Sequence, residues 1–111
     1  MQLNHEKLDV YQAAIEFLAL AFQMIQQIPS GYGCLGDQLK RACLSIPLNI
    51  AEGSGKISAK DKSRFYQIAR GSATECGAIL DVLNTVHLAN PETLRKGKQL
   101  LYRIVCMLSK M

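Results

Sequence analysis

The chain is expected to fold as an all-α, antiparallel up-down-up-down four-helix bundle forming a single domain over residues 1–111. Three observations predict this. Apolar residues recur at spacings of three and four along four stretches of the chain. Breaker clusters separate those stretches by short loops, which favours antiparallel neighbours. The sequence is 49% hydrophobic but has no Trp and few other aromatics, so its core must be aliphatic and Ala-rich, which suits close-packed helices better than sheets.

The first helix is expected from about Lys7 to Ile28. Tyr11, Ile15, Leu18, Phe22 and Ile25 form one apolar stripe, and Val10, Ala14, Phe17, Ala21, Met24 and Ile28 form a second. One stripe suffices to pack a helix on a core. Two adjacent stripes are consistent either with a central position in the bundle or with a subunit interface. Pro29-Ser30-Gly31 ends the helix.

The second helix is expected from about Leu35 to Gly53, closed by Gly53-Ser54-Gly55. Pro47 lies in its middle, lacks the N–H that would reach the Cys43 carbonyl, and predicts a kink. Arg41, Ser45, Asn49 and Glu52 fall within ~80° of arc at ~100° per residue. Leu39, Cys43, Ile46 and Ile50 make an apolar sector on one side of that stripe, and Leu44, Leu48 and Ala51 make another on the far side. A polar stripe between two apolar sectors is expected to be partly buried and to need partners, because unpaired buried polar groups are costly.

Ser58 opens the third helix, with Asp61 three residues on as in a capping box, and the helix is expected to continue to about His87. Phe65, Ile68, Ala69, Cys76, Ile79, Leu80, Leu83 and Val86 supply its apolar sector, with Ser72 inside the sector and Glu75 at its edge. Asn90-Pro91-Glu92 starts the fourth helix with an N-cap, a first-turn proline and an acid. Leu94, Leu101, Ile104, Val105 and Leu108 form its core face. Folding the third helix back on the second across their loop brings Arg41 near Ser72 and Glu75. The expected result is a polar network of Arg41, Ser45, Asn49, Glu52, Ser72 and Glu75, centred on an Arg41–Glu75 ion pair that fixes register rather than adding net stability.

Nothing in the chain specifies a reaction centre. Cys34, Cys43, Cys76 and Cys106 form no C-x-x-C pair and have no His at metal-ligand spacing, so they read as small hydrophobes. Gly31-Tyr32-Gly33-Cys34-Leu35-Gly36 matches the letters of a dinucleotide fingerprint but follows an amphipathic helix instead of a strand. Gly53-Ser54-Gly55-Lys56 resembles the end of a phosphate loop, yet Ile50 stands where the leading Gly belongs and Ile57 where Ser or Thr is required. His5 is expected to be solvated and His87 to be a structural histidine. Glu52 and Glu75 are better explained by pairing with arginines than as catalytic acids. No catalytic, cofactor-binding or metal-ligating residue is therefore expected. The N-terminus has no apolar signal-peptide core, and no apolar run approaches the ~20 residues of a membrane span. The expected compartment is the cytoplasm.

Charge carries the one functional hint. Net charge is +4 and the pI is about 9.0. In an antiparallel bundle Lys56, Lys60, Lys62 and Arg64 gather at one end near Lys7 and Lys110, diluted by Glu6, Asp9 and Asp61. Arg95, Lys96 and Lys98 gather at the other end with Lys40. Basic clusters suit phosphate backbones. Self-association would repeat the patch and strengthen the attraction.

Several motifs resemble one known family. They are Leu8-Asp9-Val10-Tyr11-Gln12, Asp37-Gln38-Leu39-Lys40-Arg41-Ala42, Ser45-Ile46-Pro47-Leu48-Asn49-Ile50-Ala51-Glu52-Gly53, and the run from Phe65 to Cys76. Together they resemble the bacterial four-helix bundle proteins related to the 23S rRNA-intervening sequence protein. The resemblance covers almost the whole chain, and only Cys34 and the loop around it depart from the family pattern. It implies a homo-oligomer, commonly a homopentamer arranged as a ring, with no enzymatic activity. Proteins of similar fold serve as nucleic-acid-binding accessory subunits of reverse transcriptases. The expected function is thus non-enzymatic binding of nucleic acid, structured RNA above all, with Lys56, Lys60, Lys62 and Arg64 as the phosphate contacts. The alternative is a protein-interaction scaffold docking a partner such as a reverse transcriptase. No membrane partner is expected.

Overall fold

The computed structural model describes all of residues 1–111. It holds four α-helices and no strand: α1 (Asp9–Gln27), α2 (Gly33–Ser54), α3 (Ala59–Thr85) and α4 (Pro91–Ser109). Short 3-10 turns at Asn4–Lys7 and Ser30–Tyr32 precede α1 and α2. The molecule is a four-helix bundle. α2 packs against α1 and α3, α4 packs against α3 and α1, and the two diagonal pairs stay apart. At ~1.5 Å rise per residue the longest helix, α3, spans roughly 40 Å, which accounts for the 44 Å long axis of the molecule.

The helix starts follow local chemistry. The Ser58 hydroxyl accepts from the Asp61 N–H at 3.1 Å, and Asn90 Oδ1 accepts from the Glu92 and Thr93 N–H groups at 2.8 and 3.4 Å. α3 ends in a Schellman-type closure. His87 takes the left-handed conformation (φ 57°), and the Leu88 N–H donates to the Leu83 carbonyl at 3.0 Å. A non-glycine residue in that conformation is uncommon, although His is among the more tolerant types.

α2 runs through Pro47 as a continuous helix to Ser54. The Asn49 amide donates to the Ser45 carbonyl at 2.8 Å, not to the Cys43 carbonyl that the proline leaves without its usual donor.

The core is built from the expected aliphatic positions. Phe17, Leu39, Ile46, Ile50, Leu80, Leu83 and Ile104 are fully buried together with Cys43 and Cys76, and no charged or polar side chain joins them. Of the two α1 stripes, the one through Val10, Ala14, Phe17, Ala21 and Met24 faces this core. Tyr11, Leu18, Phe22 and Ile25 are half-buried against it, and Ile15 is exposed. Ile68 and Val86, expected in the α3 core sector, are exposed instead.

Contacts between helices fix direction and register. Ser72 Oγ donates to Ser45 Oγ at 2.8 Å, and Tyr66 lies against Gly53, so numbering rises along α2 as it falls along α3. Arg70 on Ser109 and Lys98 on Asp81 show the same opposition between α3 and α4. At Gly53 α2 and α3 approach closely. A Cβ there would sit 2.8 Å from the Tyr66 ring and 3.1 Å from the Phe65 Cβ, so the approach requires a residue without a side chain.

Candidate nucleic-acid interface

The basic residues at the α2–α3 turn take three different roles. Lys62 is half-buried. Its ammonium donates to the Ser54 carbonyl at 3.0 Å and lies 3.5 Å from the Gly53 carbonyl. Those carbonyls are the unpaired C-terminal acceptors of α2, where a cation also complements the helix dipole. Lys62 is thus a helix cap. Lys56 pairs with Glu52 at 3.3 Å, one turn back, and lies over the Phe65 ring at 5.2 Å. Arg64 covers the same ring at 4.8 Å. Lys60 and Arg64 are exposed, stand one turn apart on α3, and have no carboxylate partner within the chain. They line an open surface groove with Asp61, Ser63 and Gln67. The half-buried Phe65 side chain positions two of the cations through its ring face.

Both termini reach this end of the bundle. Leu3 and His5 line a groove with Glu52 and Lys56, and Met111 lies in another with Ser63 and Arg70. His5 is half-buried, its ring meeting Tyr11 edge-on at 4.6 Å, and is not the solvated side chain expected. His87 is exposed at the opposite end, where backbone geometry and not a side-chain partner accounts for it. Of the second basic group, Arg95 pairs with Glu92 and Lys98 with Asp81, so those charges are spent locally. The glycine-rich Gly53-Ser54-Gly55 segment is the C-terminal turn of α2. It presents carbonyls, which repel a phosphate and attract the Lys62 ammonium.

The polar network is smaller than the sequence suggested. Ser45 Oγ accepts from Asn49 Nδ2 at 3.0 Å and from Ser72 Oγ at 2.8 Å, joining α2 to α3 in a half-buried cluster. Arg41 and Glu75 are both exposed and form no ion pair, while Glu52 pairs with Lys56. The reason is exposure. With Ser45 beside Ser72, Arg41 lies level with Cys76, one residue from Glu75, so the register would allow the pair. Both side chains are exposed outside the seam, so neither is desolvated and neither needs a buried counter-charge. Lys62 as a cap was missed by sequence reasoning. Its signal is a lysine eight residues beyond the last turn of the preceding helix.

Burial controls the thiols. Loss of solvation raises the Cys43 thiol to about 11 and, with the neighbouring Cys43 and Glu75 charges, the Cys76 thiol to about 12. Such thiols stay protonated and unreactive near neutrality. Cys34 is exposed. No group of three His, Cys, Asp or Glu side chains is placed to hold a metal ion, and no helix is long and apolar enough to cross a membrane.

Residues 6–110 match the family model described as the 23S rRNA-intervening sequence protein. No curated protein matches the chain. Among solved structures, one similar chain is a protein of unknown function from the S23 ribosomal protein family of Bacteroides thetaiotaomicron. It is 21% identical, covers 89% of this chain and 94% of its own length, and superposes with a TM-score of 0.84. At that identity the likeness establishes the shared fold.

Proposed function

The chain belongs to the 23S rRNA-intervening sequence protein family, and from that premise we propose that it is a non-enzymatic, self-associating protein that binds structured RNA through phosphate contacts. The family description itself points to an RNA setting. The observation that carries the reading is the pair Lys60 and Arg64, exposed one turn apart and free of carboxylate partners in their own chain. Lys56 stands beside them with Glu52 as a competing anion, and Lys62 supports the turn from beneath by capping α2. Two such cations at this turn are few for nucleic acid, so the reading needs several copies. The ring of five implied by the family resemblance would repeat the pair around one face. Exposed aromatics at this end are lacking, since Tyr32 and Tyr102 lie elsewhere. Recognition then rests on backbone charge and shape and not on base stacking. We place this activity in the cytoplasm, without a cofactor.

Titration of RNA binding against salt tests the proposal. The expected result is a linear fall of log K with log salt, with K60A/R64A lowering the slope by about one for each phosphate no longer neutralised. A flat slope overturns it. Duplex DNA of the same length, run in parallel, reports whether RNA is preferred.

A second reading is a scaffold that docks a protein partner, such as a reverse transcriptase. It is favoured by the exposed apolar side chains Leu48 and Ile68 on the outer face of α2 and α3 and Tyr102 on α4. Recovery of one stoichiometric protein partner after nuclease treatment would support this reading over the first.

A further inference from the structure

The outer face of α2 and α3 carries two lines of exposed side chains, of which Glu52 pairs with Lys56 and Arg64 lies over the Phe65 ring, while the others have no ion-pair partner in the protomer. On α2, Arg41, Leu48 and Glu52 fall within about 40° of arc. On α3, Glu75, Ile68 and Arg64 do the same. All six residues are exposed; Leu48 is 64% and Ile68 46% accessible. The order along α2 is cation, aliphatic, anion, and along α3 at the same levels it is anion, aliphatic, cation.

The levels follow from the observed register. Ser45 touches Ser72, so with antiparallel helices Arg41 is level with Cys76, Leu48 with Ala69 and Glu52 with Phe65. Glu75, Ile68 and Arg64 are each one residue from those positions, an offset of about 1.5 Å in every case. The spacing is therefore identical on the two helices: seven residues from charge to aliphatic, then four to the opposite charge.

We propose that copies of this chain associate side by side with parallel bundle axes, α2 of one copy lying against α3 of the next, so that Arg41 meets Glu75, Leu48 meets Ile68 and Glu52 meets Arg64 of the neighbouring copy. This rests on the self-association half of the function proposed above and specifies its contact. Rotation about an axis parallel to the bundle preserves height, so every rung meets its complement with the same offset of about 1.5 Å along the axis. Other arrangements fail on chemistry. A slip of seven residues sets Arg41 against Ile68 and Leu48 against Asp61. Turning the neighbour end for end sets α2 of one copy against α2 of the other. Matching Arg41 to Glu52 there puts Leu48 opposite Ser45, and matching Leu48 to itself puts Glu52 opposite Leu44, so charge and aliphatic rungs are never satisfied together. Charges arranged in this way select register by penalising the wrong ones. Each rung is an ordinary surface pair, worth little in isolation; joined around a closed set of copies, with the aliphatic rung between, the rungs act together. The arrangement points every α2–α3 turn the same way and so collects Lys60 and Arg64 of all copies on one face. Arg64 has five N–H donors, so a carboxylate at one edge leaves others for a phosphate.

Charge reversal tests the contact, with assembly mass read by native mass spectrometry and sedimentation. Arg41→Glu alone and Glu75→Arg alone are each expected to raise the concentration at which copies associate on the order of 100-fold. The double variant R41E/E75R is expected to restore the wild-type mass. Mixing the two single variants is expected to yield hetero-complexes, which pairing inside one chain cannot explain. Both residues are exposed, so unchanged helical circular dichroism accompanies dissociation. Single variants that keep the wild-type mass, a double variant that stays dissociated, or a wild-type protein that is a lone protomer at micromolar concentration would each overturn the contact. An assembly with the expected charge-swap behaviour but a flat salt slope for RNA would leave the contact standing and remove the nucleic-acid reading instead.

Discussion

At Gly53 the absence of a side chain is what lets α2 and α3 meet. Gly53→Ala drives a methyl group into the Tyr66 ring and the Phe65 Cβ and is expected to lower unfolding free energy by about 1–3 kcal/mol. Gly71→Ala, in the middle of α3 with nothing within 4 Å of the added methyl group, is expected to raise it by roughly 0.5–1 kcal/mol, because alanine loses less backbone entropy in a helix. Urea titration of the two variants distinguishes a packing role from a helix-propensity effect. The buried thiols give a pH signature. Both Cys43 and Cys76 hold their protons in the native state to about 11 and about 12, against 9.0 when free. Between those values the folded chain binds more protons than the unfolded one, so stability is full below pH 9 and falls as pH climbs through 11. A denaturant midpoint unchanged from pH 8 to pH 10.5 would show that these thiols are solvated.

α2 and α3 depend on each other through their turn. Lys62 belongs to the first turn of α3, yet its ammonium satisfies the last carbonyls of α2. Lys62→Met keeps the aliphatic stem and removes the donor. It is expected to cost about 1 kcal/mol of stability and to leave the salt slope of RNA binding unchanged, whereas K60A/R64A is expected to leave stability unchanged and reduce the slope. The same turn explains what the sequence could and could not show. Helix number, the Ser58 and Asn90 caps and the core stripes were legible because each depends on residues within one or two turns. The pairing of Ser45 with Ser72 was within reach too, since both interrupt apolar sectors. The absence of an Arg41–Glu75 ion pair was not, because periodicity places both residues at the edge of the seam and does not report whether their side chains turn into it or out to solvent. Nor does the sequence separate the four equivalent-looking lysines and arginines of the turn into a cap, an ion-paired residue and two cations without a carboxylate partner, because the cap depends on Lys62 folding back onto the Ser54 carbonyl.

For the molecule as a whole, a closed aliphatic core accounts for folding without any buried charge. The second apolar sector of α2, Leu44, Leu48 and Ala51, was legible in the sequence as the far flank of a polar stripe expected to be partly buried. Leu48 turns out to be exposed while its neighbours are half-buried. Sequence periodicity reports that such a face exists; it does not report what covers it, because a residue buried against a second copy and one buried against its own chain leave the same pattern.

Leu3 and His5 beside Lys56, and Met111 beside Ser63, set both chain ends over the α2–α3 turn, while Cys34 sits exposed at the opposite pole, just after the α1–α2 turn. A purification handle or fluorescent fusion at either extremity would therefore shadow the very surface an RNA assay sets out to measure, and a weak result from such a protein would report crowding. A maleimide dye on Cys34 leaves that surface open, and the protonated Cys43 and Cys76 thiols favour labelling away from the core.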